Sequence, residues 1–280
     1  MKCLVIYYKN GFMERENAKV DIEDRGYQFG DGIYEVVRVY NGKFFTLDEH
    51  LARFVRSATE LHIKLPFTVE ALTNLLEQLV EKNELINGYV YIQLTRGAAD
   101  RIHNYADNLE PVLTMYSTVR ERALSDIENG VDVYLHEDIR WLRCDIKSLN
   151  LLPNTLANTA AKNKGGHEAI LHRGEIVTEA SASNIFIVKN NELVTHPANN
   201  LILNGITRGK ILQIAEDLKI PVKEEAFTIE ELFAADEAFI TNTGVEIGPI
   251  NHVDDKAIGT GKPGPVTRKL QKAFEALLPS

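Results

Sequence analysis

The chain of 280 residues is 44% hydrophobic and 25% charged, ordinary proportions for a soluble globular protein with enough apolar material for two domains or one large one. Its net charge of −9 is spread along the chain and leaves no basic stripe to neutralise phosphates, which excludes nucleic acid as the expected partner. No apolar run approaches the roughly 20 residues of a membrane span, and Cys3 and Cys144 form no CxxC pair, so no membrane, disulfide framework or thiolate zinc site is expected.

The first apolar run, Leu4–Tyr8, reads as a strand and lacks a signal-peptide cleavage pattern, so a cytoplasmic location is expected. Ile33–Tyr40 reads as a second strand, turned by Asn41-Gly42 into a returning strand Lys43–Leu47. Thr46-Leu-Asp-Glu49 has capping-box spacing and opens an amphipathic helix to about Leu61; Thr68 starts another to about Asn83. Strands follow at Tyr89–Thr95 and Val112–Thr118. The charged stretch 120–129 is the expected domain boundary. Beyond it the pattern predicts strands at Val131–Leu135, Ala169–Leu171, Ile176–Thr178, Asn184–Val188, Leu193–Thr195 and Glu237–Thr241. Helices are expected at Thr155–Lys164, Thr207–Leu218 and Pro265–Leu277, with a short one after the capping-box sequence Thr228-Ile-Glu-Glu231.

Chemistry could reside in Trp141-Leu-Arg-Cys-Asp-Ile-Lys-Ser-Leu-Asn150, where Lys147 stands in a leucine-rich stretch. A lysine there either lays its stem over apolar neighbours, or is partly desolvated and nucleophilic toward an aldehyde cofactor. The second reading needs partners. Glu179, in the small-residue loop Val177–Asn184, could be a solvated glutamate or an inward carboxylate for a ring nitrogen. Gly205-Ile-Thr-Arg208 stands at a helix start whose free amides suit a phosphate, unless Thr207 is only an N-cap. Thr241-Asn-Thr-Gly244 could add further donors. Arg101, two residues before His103, could grip a carboxylate, or the loop could simply be solvated. Gly259–Gly264 resembles a phosphate loop but lacks the preceding strand and the Lys-Ser/Thr ending, so it reads as a turn. Neither HExxH nor GxSxG is present, and no metal site is expected.

Together, Asp24–Glu35, Asp138–Asn150 and His196–Arg208 closely resemble motifs of the D-amino-acid transaminases, within the fold-type IV pyridoxal-phosphate enzymes. The resemblance runs in order through nearly the whole chain. It implies an α/β fold of the α+β type, with an N-terminal domain over 1–120, a cofactor-binding domain with a barrel-like sheet over 121–280, and the cofactor between them. By it, Lys147 is the Schiff-base lysine and Glu179 the partner of the pyridine nitrogen. Arg53, Ile206, Thr207 and Thr243 would hold the phosphate, and Leu203 would pack on the ring. Tyr34, Arg101 and His103 would trap the substrate carboxylate, the last two reaching in from the neighbouring subunit of a homodimer. The implied reaction is ping-pong transfer from D-alanine or another D-amino acid to 2-oxoglutarate. Rivals are a branched-chain L-transaminase or a lyase of the same fold, and a non-catalytic pyridoxal-phosphate-binding protein. The chain departs from the family pattern at Ala182, at Asn242 and in Leu156–Ala160.

Overall fold

The computed structural model describes residues 5–280, so Cys3 and the first residue of the expected Leu4–Tyr8 strand lie outside the described residues. The chain divides into two compact units: residues up to Glu121 with Ile146–Asn150 and Pro279–Ser280, and Arg122–Asp145 with Leu151–Leu278.

The first unit contains β1 (Val5–Tyr8), β2 (Gly11–Glu14), α1 (Arg25–Phe29), β3 (Gly32–Tyr40), β4 (Lys43–Phe44), α2 (Leu47–Glu60), α3 (Val69–Lys82), β5 (Gly88–Thr95) and β6 (Val112–Val119). Its antiparallel sheet runs β2-β1-β6-β5-β3-β4. Strand alternation puts Ile33, Val37, Val39, Val90, Ile92 and Leu94 on one face, packed with Leu51 and Phe54 of α2 and Leu72, Leu76 and Leu79 of α3. Glu35 shares that alternation and is the polar exception. On the other side of the strands Tyr34, Tyr91 and Tyr116 stack in series, with centroids 5.8 and 4.9 Å apart.

Asn41 and Gly42 both have positive φ, 49° and 75°, as a two-residue hairpin requires. The returning strand is shorter than expected, because Thr46 turns left-handed at φ 55° and Leu47 already begins α2. That turn also removes the expected capping box: the Thr46 hydroxyl donates to the Phe45 carbonyl at 2.7 Å and caps nothing. Thr68 does cap α3, accepting from Ala71 N at 3.1 Å. The sequence pattern missed β2 and α1, four and five residues long, which are too short to show a period.

The second unit contains α4 (Leu124–Asn129), β7 (Val131–Glu137), α5 (Leu152–Asn163), β8 (Glu168–Arg173), β9 (Ile176–Ala180), β10 (Asn184–Lys189), β11 (Glu192–Thr195), α6 (Ile206–Asp217), β12 (Val222–Glu224), β13 (Phe227–Thr228), α7 (Ile229–Phe233), β14 (Glu237–Asn242), β15 (Glu246–Val253), β16 (Lys256–Ala257) and α8 (Pro265–Glu275). The mixed sheet runs β12-β11-β10-β14-β15-β7-β8-β9-β13, with β16 on β15. Ile170, Val177, Ile185, Ile187, Ile240 and Ile250 centre its core.

Besides the short elements α4, β12, β13 and β16, which were not expected, three features here differ from expectation. Helix α5 begins at Leu152, three residues early, because Pro153 fits a first turn that has no use for its missing N–H. Strand β15 was hidden by Pro249, which pairs with Phe239 of β14 but precedes Ile250, where the ladder to β7 begins. Glu179 lies within β9, not in a loop. Thr228 and Glu231 do form the expected capping box on α7.

Candidate active site

In the first unit, Ile146–Asn150 returns to the edge of β3 beside β4. Tyr34 N donates to the Lys147 carbonyl at 3.0 Å, Leu149 N donates to Gly32 at 3.0 Å, and Ser148 bridges Ile33. The backbone of Lys147 is therefore held as an added strand, with its own N–H on the Ser57 hydroxyl at 3.3 Å. Its Nζ lies 4.2 Å from the Tyr34 ring centroid and has no hydrogen bond among the described residues. The amine rests on an aromatic face with no carboxylate holding it among the described residues.

Behind this segment, Glu35 is fully buried. It accepts His50 Nδ1 at 2.7 Å and Arg53 Nε and Nη2 at 2.7 and 2.9 Å. Burial by itself would raise its pKa, yet Arg53 and His50 hold it at about 2. Burial also lowers the pKa of His50, on which the charges of Arg53 and Lys147 bear. The expected phosphate ligand Arg53 is thus seated on Glu35, a pairing the sequence reading did not include.

Arg101 and His103 lie on the exposed loop after β5, both against Phe29: the Arg101 guanidinium carbon is 5.3 Å from its centroid and the His103 ring meets it edge-on at 5.9 Å. Among the described residues no hydrogen bond, ion pair or ring contact joins either to Lys147 or Tyr34. What fixes the loop is buried Arg25, which donates to the carbonyls of Ile102 and His103 at 2.7 and 3.1 Å while holding Asp31 at 2.8 Å. Arg96 shares Asp31 and lies 3.6 Å from the Tyr105 centroid.

In the second unit, Glu179 is 5% exposed and points among donors. Arg140 Nη1 reaches it at 2.5 Å, Asn184 Nδ2 at 2.9 Å, and Leu203 N at 3.1 and 3.2 Å to its two oxygens. Burial pushes its pKa up to about 7, against the pull of these donors. Arg140 cannot do more because it is shared: its Nε and Nη2 bind Asp138 at 2.8 Å, and Asp138 also takes Arg173 and Thr178. Burial would raise Asp138 too, but two guanidiniums hold its pKa at about 2. Asp138 and Arg140 stand in a quoted motif and received no role from the sequence; their spacing of two was the available signal.

Helix α6 starts after Gly205, whose position carries no side-chain cap, so the amides of Ile206 and Thr207 are available at the positive end of the helix. Thr207 lies inside the helix and is not the N-cap. Gly205 must lack a Cβ, which would stand 2.0 Å from Asn184 Oδ1. The Asn184 amide also donates to the Leu203 carbonyl at 2.8 Å, tying Leu203 and the α6 start to Glu179. Thr241 and Asn242 end β14, and the buried Thr241 hydroxyl has no partner among the described residues. A buried carboxylate with a raised pKa, an uncapped helix start and an amine on an aromatic ring suit, respectively, a protonated pyridine nitrogen, a phosphate and an aldehyde. No cluster able to hold a metal occurs among the described residues.

Residues 32–253 match the model for amino-transferase class IV. The chain is 48% identical over 276 residues to the D-alanine aminotransferase of Staphylococcus haemolyticus, covering 98% of both chains. It is 52% identical over 277 residues to that of Listeria monocytogenes, covering 98% of this chain and 95% of that one. Among solved structures, the branched-chain amino acid aminotransferase of Escherichia coli gives a TM-score of 0.92 at 26% identity, covering 99% of this chain and 95% of that one. The T.th. branched-chain amino acid aminotransferase with pyridoxamine 5′-phosphate gives 0.91 at 27%, covering 99% and 95%. The chain belongs to the class IV aminotransferases.

Proposed function

We propose that this chain is a D-amino-acid transaminase that moves the amino group of D-alanine and other D-amino acids to 2-oxoglutarate, forming pyruvate and D-glutamate. The observation that carries the reading is identity of 48–52% along nearly its whole length to D-alanine aminotransferases. The cofactor is pyridoxal 5′-phosphate, which supplies an aldehyde to carry the amino group and a ring to take up the electron pair released at the substrate α-carbon. Lys147 anchors it and moves the α-proton, its amine resting on Tyr34. Glu179 holds the ring nitrogen in its protonated form, and Leu203 packs on the ring. Ile206, Thr207, Thr243 and Arg53 hold the phosphate, with Glu35 orienting Arg53.

Tyr34 takes the substrate carboxylate on one side. Arg101 and His103 do so from the partner of a homodimer, consistent with an exposed loop that makes no hydrogen bond, ion pair or ring contact with Lys147 or Tyr34 among the described residues and is pinned by Arg25. Exposed Ile22, Tyr27, Leu142, Leu152 and Leu156 offer apolar surface for such a pairing. No helix among the described residues is long and apolar enough to cross a membrane, and a cytoplasmic enzyme is the reading adopted. A screen of D- and L-amino acids with 2-oxoglutarate tests the function: D-alanine should serve and L-leucine should not. Turnover of L-leucine alone would move the chain to the branched-chain group.

A further inference from the structure

Glu168, the first residue of β8, is 3% exposed and is paired with no lysine, arginine or histidine among the described residues. A carboxyl so placed needs donors, and it has three, all from the turn after β9. Ser181 Oγ donates at 3.3 Å and Ala182 N donates to the same oxygen, while Ser183 Oγ donates to the other oxygen at 2.7 Å. The arrangement continues. Asn242 Nδ2 donates to Ser183 Oγ at 2.7 Å, and Asn242 Oδ1 accepts the N–H groups of Gly244 and Val245 at 2.6 and 2.8 Å.

The direction of each bond is set from the turn. The backbone N–H groups of Gly244 and Val245 can only donate, so Asn242 turns its oxygen to them and its NH2 to Ser183, which accepts from Asn242 and donates to Glu168. The Gly244 and Val245 amides are thereby consumed within the turn, while the Thr243 hydroxyl has no hydrogen bond among the described residues.

We propose that Glu168 is a positioning residue for the phosphate end of the cofactor, holding the Asn242–Gly244 turn in place through Ser183 and Asn242. This rests on the reading of Thr243 as a phosphate ligand. It also assigns a role to Asn242, one of the departures from the family pattern: its amide ties the turn to Ser183, and Ala182 contributes only a backbone N–H.

Glu168→Gln breaks this hydrogen-bond relay. The Ala182 N–H cannot become an acceptor, so the glutamine oxygen must face it and the NH2 must face Ser183. Ser183 then faces two NH2 donors, from the glutamine and from Asn242, and its own O–H loses its acceptor. Ser183→Ala cuts the same relay in the middle and leaves Ser181 and Ala182 bound to Glu168.

The experiment measures equilibrium dissociation of pyridoxal 5′-phosphate and of pyridoxal, which lacks the phosphate, from wild type and variants by cofactor absorbance. Glu168→Gln and Ser183→Ala should each weaken pyridoxal 5′-phosphate roughly tenfold and leave pyridoxal unchanged. The double variant should be no weaker than the worse single one, because both cut one chain. Wild-type affinity in either single variant, equal losses for both ligands, or additive losses would overturn the relay. Thr243→Ala, which removes the hydroxyl, and Thr243→Pro, which removes the N–H, separate the two readings. Undiminished affinity in both removes the turn from the phosphate and the relay's role with it, whereas a loss in either with none in Glu168→Gln keeps the phosphate reading and rejects the relay.

Discussion

Two buried carboxylates, one in each unit, have opposite electrostatic fates. Glu35 takes both an arginine and a histidine, and its pKa falls to about 2. Glu179 shares its single arginine with Asp138, and burial carries its pKa to about 7. Burial is near complete for both, so what decides is charge: Glu35 has Arg53 and His50, whereas Glu179 has one arginine that Asp138 also holds, and the Asp138 charge raises its pKa further. A fully satisfied carboxylate such as Glu35 is suited to orienting Arg53. An under-compensated one such as Glu179 still gains from a further positive group, which a protonated ring nitrogen supplies.

The largest effect expected belongs to the first unit. Lys147→Ala should abolish transamination outright, and borohydride reduction of the wild-type holoenzyme should place the label on Lys147 by peptide mapping; label on another lysine would remove it from the site. In the second unit, Glu179→Gln should keep cofactor binding but slow the proton-transfer half-reaction roughly a hundredfold or more, since an amide cannot hold the ring nitrogen positive. Wild-type rates in single-turnover cofactor spectra would mean that Glu179 is an ordinary buried acid. Arg101→Ala should raise the KM for D-alanine by roughly ten- to a hundredfold, the worth of a charge-assisted carboxylate clamp. Mixed with Lys147→Ala subunits it should recover activity in heterodimers verified by mass spectrometry. Verified heterodimers without activity would place Arg101 outside a shared site.

The comparison can also be tested by pH. Glu35 has its pKa depressed from an ordinary 4.5, so its contribution to stability is present above pH 4.5 and lost as pH falls toward 2. Glu179 has its pKa raised from 4.5, so in the cofactor-free protein its contribution is present below pH 4.5 and lost as pH rises through about 7. Each is worth up to roughly 3 kcal/mol. Denaturant titrations across pH should show Glu35→Gln flattening the acid limb and Glu179→Gln the neutral limb; identical profiles for the two variants would refute the contrast. The smallest effect concerns the caps. Thr228→Ala should cost about 1 kcal/mol of stability, whereas Thr46→Ala, whose hydroxyl caps nothing, should cost less.

Features carried by a few adjacent residues could be read from the chain alone. The Asn41-Gly42 turn, the Thr228 capping box, the α6 start at Gly205 and the long alternating strands depend on local backbone preference and spacing. Lys147 stood out because it lies in the long Asp138–Asn150 motif, and Glu179 entered through the family resemblance, although it lies in a strand and not in the expected loop. The same local logic misled at Thr46, where a left-handed turn overrode the capping-box spacing, and at β15, where Pro249 masked a strand its neighbours tolerate.

Tertiary structure decided the charge state and direction of each group. Nothing in the local sequence pairs Arg140 with Glu179, 39 residues away, or Arg53 with Glu35 across a helix and a strand. Likewise the path from Glu168 through Ser183 to Asn242 joins three strands and their turns. Hydrogen bonds and Coulomb forces act through a few ångströms of space whatever the separation along the chain. The residue types were therefore visible in the sequence, while their pKa values and the direction of every donor were set only once the sheets brought them together.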